Sequence, residues 1–259
     1  MDEYTKGDVY VAALIIIGNE ILGGRTQDTN TQWIASRLTD HGIVLGEVRI
    51  VPDDKEMIVK TFNDLRANFE YVFSTGGVGP THDDITADCV ADAFGVPLER
   101  SSEAFAMLEE HYGLEELTPP RAKMSMIPKG STLIPNPVTA APGFVIENVY
   151  VMAGVPRIMQ AMLDHVLGAI KSGKPILSNT VACSLPESAI AADLAELQDN
   201  YPELVLGSYP HYRGGMLGLS LVLRGTNPEM LEKATDDLIA LVEKHGDEPR
   251  ALSIRSTGS

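Results

Sequence analysis

The segment that decides the fold reads YVFSTGGVGPTHDDITAD and runs from Tyr71 to Asp88. Its first five residues are rich in β-branched and aromatic side chains, a composition typical of a buried strand. Three glycines follow within four residues, and glycine adopts backbone conformations that bring amide groups close to an anion. The residues from Ile85 to Phe94 continue as a predicted helix. A strand, a glycine turn and a helix in this order predict a ligand-binding turn at the carboxyl edge of an α/β sheet.

The same alternation of strand and helix precedes this segment. A continuous apolar run from Val9 to Gly18 is typical of a strand buried on both faces of a parallel sheet. A second strand is predicted from Ile43 to Val51. Helices are predicted from Thr29 to His41 and after a capping residue at Asp53 or Asp54. Three strand and helix pairs at this spacing predict a doubly wound α/β fold.

Three parts are expected along the chain: a large α/β domain over residues 1–171, a small α+β domain over 175–246 and a flexible tail over 247–259. The stretch KSGKP between the two domains has the composition of a linker. In the small domain, strands are predicted over 177–184, 204–209 and 216–224, and helices over 187–200 and 229–245. This βαββα pattern carries no residues that indicate catalysis.

Composition restricts the class of protein. The 259 residues carry a formal net charge of -16, which disfavours nucleic acid as a partner because such a surface repels phosphate backbones. The two cysteines, Cys89 and Cys183, are far apart, which fits a reducing cytoplasm and a site built without cysteine ligands. The apolar run from Val9 to Ile17 is too short to span a bilayer, and the acidic start lacks the features of a secretory signal. We therefore expect a cytoplasmic protein that does not enter the membrane.

Acidic residues follow the glycine turn at once and would repel a bound anion. Asp83 is expected at the start of the helix, with Asp84 and Asp88 on one helical face. One interpretation is that these acids only offset the helix dipole. The other is that a divalent cation lies between the acids and a phosphorylated ligand, since carboxylate and phosphate oxygens are the ligands that Mg²⁺ prefers. The second interpretation explains why glycines and acids share one turn.

Other side chains are candidates for the same sheet edge. Glu20 follows the first strand and is either a metal ligand or a turn residue. Asp28 is either a metal ligand or a cap of the first helix. Lys123 and Arg157 lie in loops with proline or glycine and are either ligand-binding cations or surface charges. His82 is either a general base or a solvated turn residue.

Four stretches together resemble one known family. They are GNEILGG from Gly18 with QDTN from Gln27, the glycine turn from Ser74, NPVTAAPGF from Asn136 and AGVP from Ala153. Over about the first 170 residues the chain resembles the MoaB/Mog molybdopterin-binding fold, and specifically the N-terminal part of competence-damage-inducible (CinA-type) proteins. The resemblance implies a three-layer α/β/α sandwich with a mostly parallel sheet. The small second domain is similar to the KH-type segment of those proteins.

The resemblance also implies roles for individual residues. The matched ligand-binding residues are Gly76, Gly77, Gly79, Pro80, Thr81, Asn30 and Lys123, and Arg157 is a cation where relatives have serine. The matched acids are Asp83 and Asp84, as catalytic and metal-binding residues, and Glu20, as a further metal ligand. Asp28 remains a candidate metal ligand, but it stands where many relatives have asparagine. Ile158 stands where many relatives have glutamate, so ligand choice is expected to differ.

Two functions follow from the resemblance. CinA-type and FAD-synthase domains look like hydrolases of nucleotide pyrophosphates such as ADP-ribose or FAD, and depend on Mg²⁺, Mn²⁺ or Co²⁺. MoaB/Mog relatives bind molybdopterin, which implies a binding protein without turnover as the alternative. A homo-oligomer, dimer or trimer, is expected, and the C-terminal deamidase domain of full-length CinA-type proteins is expected to be absent.

Overall fold

A computed structural model describes residues 9–213 and 216–252 of the chain. The chain divides into two compact units. One comprises Tyr10–Thr39 and Ile43–Ser172; the other comprises the residues from Gly173 onward together with Asp40–Gly42. No helix among the described residues is both long and apolar enough to cross a membrane.

The first unit alternates strands and helices as the sequence pattern predicts. Its elements are β1 (Tyr10–Ile17), α1 (Asn19–Leu22), α2 (Asn30–Asp40), β2 (Ile43–Val51), α3 (Lys55–Arg66), β3 (Tyr71–Thr75), α4 (Thr86–Phe94), β4 (Leu98–Arg100), α5 (Ser102–Tyr112), α6 (Pro119–Lys123), β5 (Met126–Pro128), β6 (Thr132–Ile134), β7 (Gly143–Ile146), β8 (Val149–Met152) and α7 (Pro156–Leu167).

A six-stranded sheet with the order β2-β1-β3-β8-β7-β6 forms the middle layer. The four strands from β2 to β8 are parallel, and β7 and β6 continue the sheet as antiparallel neighbours. Alternate residues of β1 serve opposite faces: Leu14 is buried with Ile34 of α2 and Met159 of α7, and Ile15 with Phe62 of α3. Helices therefore cover both faces. The expected three-layer α/β/α sandwich with a mostly parallel sheet is confirmed.

The strand order places a binding site at one edge of this sheet. From β1 the chain passes to β2 on one side and then to β3 on the other side, so the order reverses between β1 and β3. Open α/β sheets bind ligands beyond the carboxyl ends of strands at such a reversal, because the loops there diverge and leave a crevice. The glycine turn follows β3 directly and lies at this point.

The second unit is an antiparallel sheet with two helices. Its elements are β9 (Leu177–Cys183), α8 (Glu187–Asn200), β10 (Val205–Arg213), β11 (Met216–Gly225), α9 (Pro228–Lys244) and β12 (Arg250–Leu252), with the sheet order β10-β11-β9-β12. Leu221 of β11, Leu194 of α8 and Leu238 of α9 are buried in one core. Asn227 caps α9 through hydrogen bonds from two backbone amides to its side chain.

One structural expectation is wrong in part. The segment 247–259, expected to be a flexible tail, contains β12, which pairs antiparallel with β9 from Arg250 to Leu252. The alternation of apolar residues is too short there to signal a strand, and its partner is distant in sequence. The remainder of that segment, 253–259, lies outside the described residues.

Candidate functional site

A cleft of about 610 Å³ opens at the carboxyl ends of the parallel strands. Each strand contributes lining residues through the loop that follows it: Glu20 after β1, Asp53 after β2, the glycine turn after β3 and Gly154 after β8. The cleft therefore occupies the position that the strand reversal predicts.

The glycine turn is backbone-constrained and tightly packed. Gly76 has φ 102°, and a Cβ atom on it would lie 2.1 Å from the carbonyl oxygen of Ile17. Gly77 has φ 65°, and a Cβ atom there would lie 2.2 Å from the hydroxyl of Thr86. That hydroxyl donates to the Gly76 carbonyl at 2.9 Å, and the Thr86 amide donates to the Gly77 carbonyl at 3.0 Å. The start of α4 thus holds both glycine carbonyls, so the turn is rigid before any ligand arrives.

Three successive backbone amides of the turn remain available to a ligand. Among the described residues, the N–H groups of Gly77, Val78 and Gly79 donate no hydrogen bond. All three residues line the cleft, and Pro80, which follows them, has no N–H group. Successive free amides in a turn form a concavity that attracts anions. The turn has the form of an oxyanion cradle.

Asp84 was expected on a helical face with Asp88 and Asp83 at the start of the helix, but only Asp88 lies in α4. The helix begins at Thr86, so Asp83 and Asp84 belong to the preceding loop, and both line the cleft. The Thr81 hydroxyl lies 2.5 Å from Asp83 Oδ1 and 2.5 Å from Asp84 Oδ2, and the Thr81 amide also donates to Asp84 at 2.7 Å. A hydroxyl has one proton and can donate to only one of the two carboxylates. Three oxygen atoms therefore meet at a point that favours a further positive charge. Asp88 instead forms an ion pair with Lys55 at 2.8 Å.

The surroundings of the Asp83 carboxyl favour its ionised form. The hydrogen bond from Thr81, and then its own backbone amide, hold the pKa of Asp83 below its ordinary value. Lys123 lies close, but its ammonium donates to the carbonyls of Thr81 at 2.8 Å and Asp84 at 2.9 Å. Lys123 does not line the cleft and acts on the backbone of the acidic loop. It is therefore a positioning residue for the acids.

Two more acids reach the cleft. Glu20 is exposed and folds back over its own loop, with its carboxylate 2.6 Å from the place that a Cβ atom of Gly18 would take. Asp53, after β2, accepts a hydrogen bond from the Asn19 amide at 3.0 Å. Among the described residues no three acidic, histidine or cysteine side chains lie close enough to enclose a metal ion. The described residues alone therefore offer no complete set of metal ligands.

Three further predicted site residues do not line the cleft. Asp28 accepts from the amides of Asn30 at 2.9 Å and of Thr31 at 3.1 Å, which is a helix-capping arrangement at the start of α2, and it does not line the main cleft. Arg157, the second residue of α7, is exposed and also outside the cleft lining. The side chain of His82 is 97% exposed and does not line the cleft. These positions give no geometric support to a metal-binding Asp28, a ligand-binding Arg157 or a basic His82.

A small polar recess of about 70 Å³ shares part of its lining with the cleft. Asn30 donates to the Gly154 carbonyl at 2.8 Å and so ties α2 to the loop after β8. Its amide oxygen and the hydroxyl of Thr75 are buried without hydrogen-bond partners among the described residues. Buried polar atoms of this kind require a partner, so the recess accepts water or a polar ligand group. Asn30 therefore lines the recess and not the main cleft.

Several cleft residues were not assigned to the site from the sequence. Asp53 follows β2 at the same sheet edge, and the rule that assigned Glu20 would have found it. Tyr112 and Arg121 lie on α5 and α6, between β4 and β5. No local sequence pattern indicates that this segment folds back to the cleft. Asn136 also lines the cleft, where its side chain accepts from the amides of residues 138 and 139 and fixes the NPVTAAP loop.

Comparison with known proteins supports the fold. Residues 13–172 match a family described as "Probable molybdopterin binding domain", and residues 175–248 match "FAD synthase, middle domain". A protein of Pyrobaculum aerophilum is 35% identical over 92% of this chain and 96% of its own length, and one of Pyrobaculum arsenaticum is 38% identical over 77% and 79%. The crystal structure of "the protein CinA with unknown function" from Thermoplasma acidophilum is 38% identical and superposes with a TM-score of 0.58, covering 61% of this chain and 95% of that one. The chain therefore belongs to the MoaB/Mog-like molybdopterin-binding domain family.

Proposed function

We propose that this protein is a hydrolase that cleaves the pyrophosphate bond of a dinucleotide of the FAD or ADP-ribose type, with the help of a divalent cation (Mg²⁺, Mn²⁺ or Co²⁺). The observation that carries the proposal is the arrangement after β3. Three free amides and the carboxylates of Asp83 and Asp84 border one cleft.

The charges in the cleft argue for a cation. Among the described residues, the side chains of four acids line it, against one basic side chain, that of Arg121; the acids are Glu20, Asp53, Asp83 and Asp84. A phosphorylated ligand would meet net repulsion there unless a cation offset the acids. The oxygen donors of Thr81 and the two aspartates fit a hard divalent cation, which commonly completes its ligands with phosphate oxygens and water. The incomplete ligand set among the described residues thus predicts that metal and nucleotide bind together.

The reaction adds one water across the pyrophosphate. The oxygen of the water forms a bond to one phosphorus, and the bond from that phosphorus to the bridging oxygen breaks. Two monophosphates leave, and the protons of the water pass to the product phosphates and to solvent. A bound divalent cation would neutralise phosphate charge and lower the pKa of a water. The amides of the glycine turn stabilise the charge that grows on the phosphoryl oxygens, since they are fixed before the reaction begins. Asp83 and Asp84 supply the ionised oxygens that retain the cation.

FAD is the first substrate to test. The second unit matches the middle domain of FAD synthase, and the first unit matches the molybdopterin-binding family, so the two domain types occur here in one chain. FAD hydrolysis releases AMP and FMN, and ADP-ribose hydrolysis releases AMP and ribose 5-phosphate.

The experiment measures release of AMP by chromatography from FAD, ADP-ribose and NAD with each of the three metals, and with EDTA. Asp83→Asn is expected to reduce the metal-dependent rate by at least about 100-fold, because it removes a charged ligand from the site. Asp92→Asn is the matched control: Asp92 lies on α4, pairs with Lys55 at 2.8 Å and does not line the cleft. Release that persists in EDTA, or that Asp83→Asn leaves unchanged, would overturn the proposal.

A second candidate is a molybdopterin-binding protein without turnover, favoured by the description of the matched family. It needs the same amides and explains the same cleft. It predicts that molybdopterin binds and that no AMP appears from any of these nucleotides. Binding of molybdopterin by calorimetry, with no release in the assay above, would select this function over the hydrolase.

A further inference from the structure

We propose that Tyr112 and Arg121 form the platform on which the aromatic base of the ligand stacks. The proposal rests on the proposed function in one respect, namely that the ligand is a phosphorylated nucleotide. Beyond that function, it specifies where the base of the ligand lies and which residues distinguish a nucleotide from a sugar phosphate.

The two side chains are already stacked on each other. The guanidinium carbon of Arg121 lies 4.4 Å from the centroid of the Tyr112 ring. Arg121 also donates through Nη1 to the backbone carbonyl of Glu116 at 2.7 Å and to its carboxylate at 3.2 Å. These contacts fix two planar groups in one orientation, so a base stacking on them loses little freedom in the protein.

The pair is chemically distinct within the cleft. Among the described lining residues, Tyr112 is the only aromatic side chain and Arg121 the only basic one. A base stacks on aromatic rings and on guanidinium planes, and an arginine adds a charge that attracts phosphate. Among the described residues, the hydrogen bonds of Arg121 use only Nη1, so the donors on Nε and Nη2 remain for a ligand.

The position of the pair connects it with the acidic loop. Arg121 and Lys123 lie in the same short helix, α6, two residues apart. Lys123 holds the carbonyls of Thr81 and Asp84, so α6 is fixed against the loop that carries the acids. One ligand can therefore place its phosphates at the glycine turn and its base at α6. The lining of the cleft agrees with this division, because it contains the acids of the loop after β3 and an aromatic surface on α5 and α6.

The test is calorimetric affinity for AMP, FMN and ribose 5-phosphate, with Mg²⁺ present. Tyr112→Ala is expected to weaken AMP and FMN by about 5- to 150-fold and to leave ribose 5-phosphate unchanged, since stacking on one ring contributes that much. Tyr112→Phe keeps the ring and is expected to bind as the unchanged protein does. Arg121→Lys keeps the charge but loses the plane, so it should weaken the nucleotides more than the sugar phosphate.

The matched control is Arg100→Lys. The guanidinium carbon of Arg100 lies 4.7 Å from the ring centroid of Phe105, which is on α5 as Tyr112 is. Neither residue lines the cleft, so the affinity for all three ligands should stay unchanged. Thermal unfolding of each variant verifies that it folds. Equal loss of AMP and ribose 5-phosphate in Tyr112→Ala, or no loss of either, overturns the inference, as does failure of the unchanged protein to bind AMP and FMN. The relative affinity for AMP and FMN reports whether adenine or the flavin occupies the platform.

The inference and the proposed function fail in different ways. Base-dependent binding without AMP release from FAD would retain the platform and reject the hydrolase. If the protein releases AMP and Tyr112→Ala changes neither the nucleotide affinity nor the KM, the hydrolase is retained and the platform is rejected.

Discussion

The acids of the loop after β3 and two acids of the second unit have opposite surroundings. In the loop after β3, Asp83 and Asp84 share one threonine hydroxyl, and the nearby ammonium of Lys123 binds backbone carbonyls instead. In the second unit, Asp193 contacts the His245 ring at 2.6 Å and Lys244 at 3.5 Å, and Asp237 accepts a hydrogen bond from the Tyr201 hydroxyl at 2.5 Å. These two acids of the second unit have partners within their own unit, whereas the loop after β3 leaves uncompensated negative charge at a cleft.

The difference indicates where a ligand is required. A paired acid contributes to folding with no outside partner. The acids after β3 have no cation beside their carboxylates, and they follow a turn whose glycines are tightly packed at positive φ. Their charge is therefore offset only when an ion binds. Such an arrangement is typical of a functional site, where a ligand rather than the fold offsets the local charge. The predictions below test this contrast from both sides.

The largest effect is expected from the backbone of the turn. Gly76→Ala should reduce the free energy of unfolding by about 2–5 kcal/mol, because it adds left-handed strain and a clash with the Ile17 carbonyl. Gly95→Ala is the control: Gly95 has φ 64° at the end of α4, but a Cβ atom there meets nothing within 4 Å. It should cost only the strain, about 1–2 kcal/mol. Urea unfolding measures both, and equal costs would show that the turn is not tightly packed.

A second prediction concerns the ammonium that holds the acidic loop. Lys123→Met should lower kcat/KM for the hydrolysed nucleotide by about 10- to 100-fold, since the carbonyls of Thr81 and Asp84 lose their donor and the acids shift. Thermal stability should change little because Lys123 is exposed. Lys129→Met is the control, an exposed lysine that pairs with Glu99 at 3.6 Å outside the cleft. Equal activity in both variants would remove Lys123 from the positioning of the acids.

A third prediction concerns the start of α4. Thr86→Val should cost about 1–3 kcal/mol of unfolding free energy, because the buried Gly76 carbonyl loses the hydroxyl that donates to it. Thr86→Ser keeps the hydroxyl and should recover most of that loss. Urea unfolding of the pair tests whether the turn is fixed by α4, and equal stability of the two variants would show that the hydroxyl has no such role.

The sequence predicted the fold well where the pattern was local. The apolar run of β1 and the segment Tyr71–Thr75 were assigned almost to the residue, because a strand covered by helices on both faces must be continuously apolar. The strand β12 was missed since its three residues have no pattern of their own and depend on pairing with β9.

The site was predicted less completely, for a physical reason. Residues that follow parallel strands share one sheet edge, so the glycine turn, Glu20 and the acids of the loop could be placed there from the sequence. Tyr112 and Arg121 lie in an excursion between two short strands, and only the folded chain brings them to the cleft. The direction of a long side chain is also absent from the sequence, as Lys123 shows by binding the loop backbone instead of lining the cleft.

The smallest effect is expected from a paired acid of the second unit. The contact with His245, and then the charge of Lys244, hold the pKa of Asp193 below its ordinary value. The folded chain therefore binds a proton at Asp193 less readily than the unfolded chain does, so the pair stabilises the fold at pH values above the ordinary carboxyl range, about 4. That contribution is lost as the pH falls through the lowered pKa.

Asp193→Asn should consequently lower the unfolding free energy near neutral pH and make it less dependent on pH below about 4. Asp199→Asn is the control, because Asp199 is exposed on the same helix and has no ion pair among the described residues. Urea unfolding between about pH 3 and pH 6 measures both variants. If Asp193→Asn and the unchanged protein lose stability in parallel as the pH falls, the pairing has no part in the fold. The contrast between internally paired acids and acids that await a ligand would then rest on the turn alone.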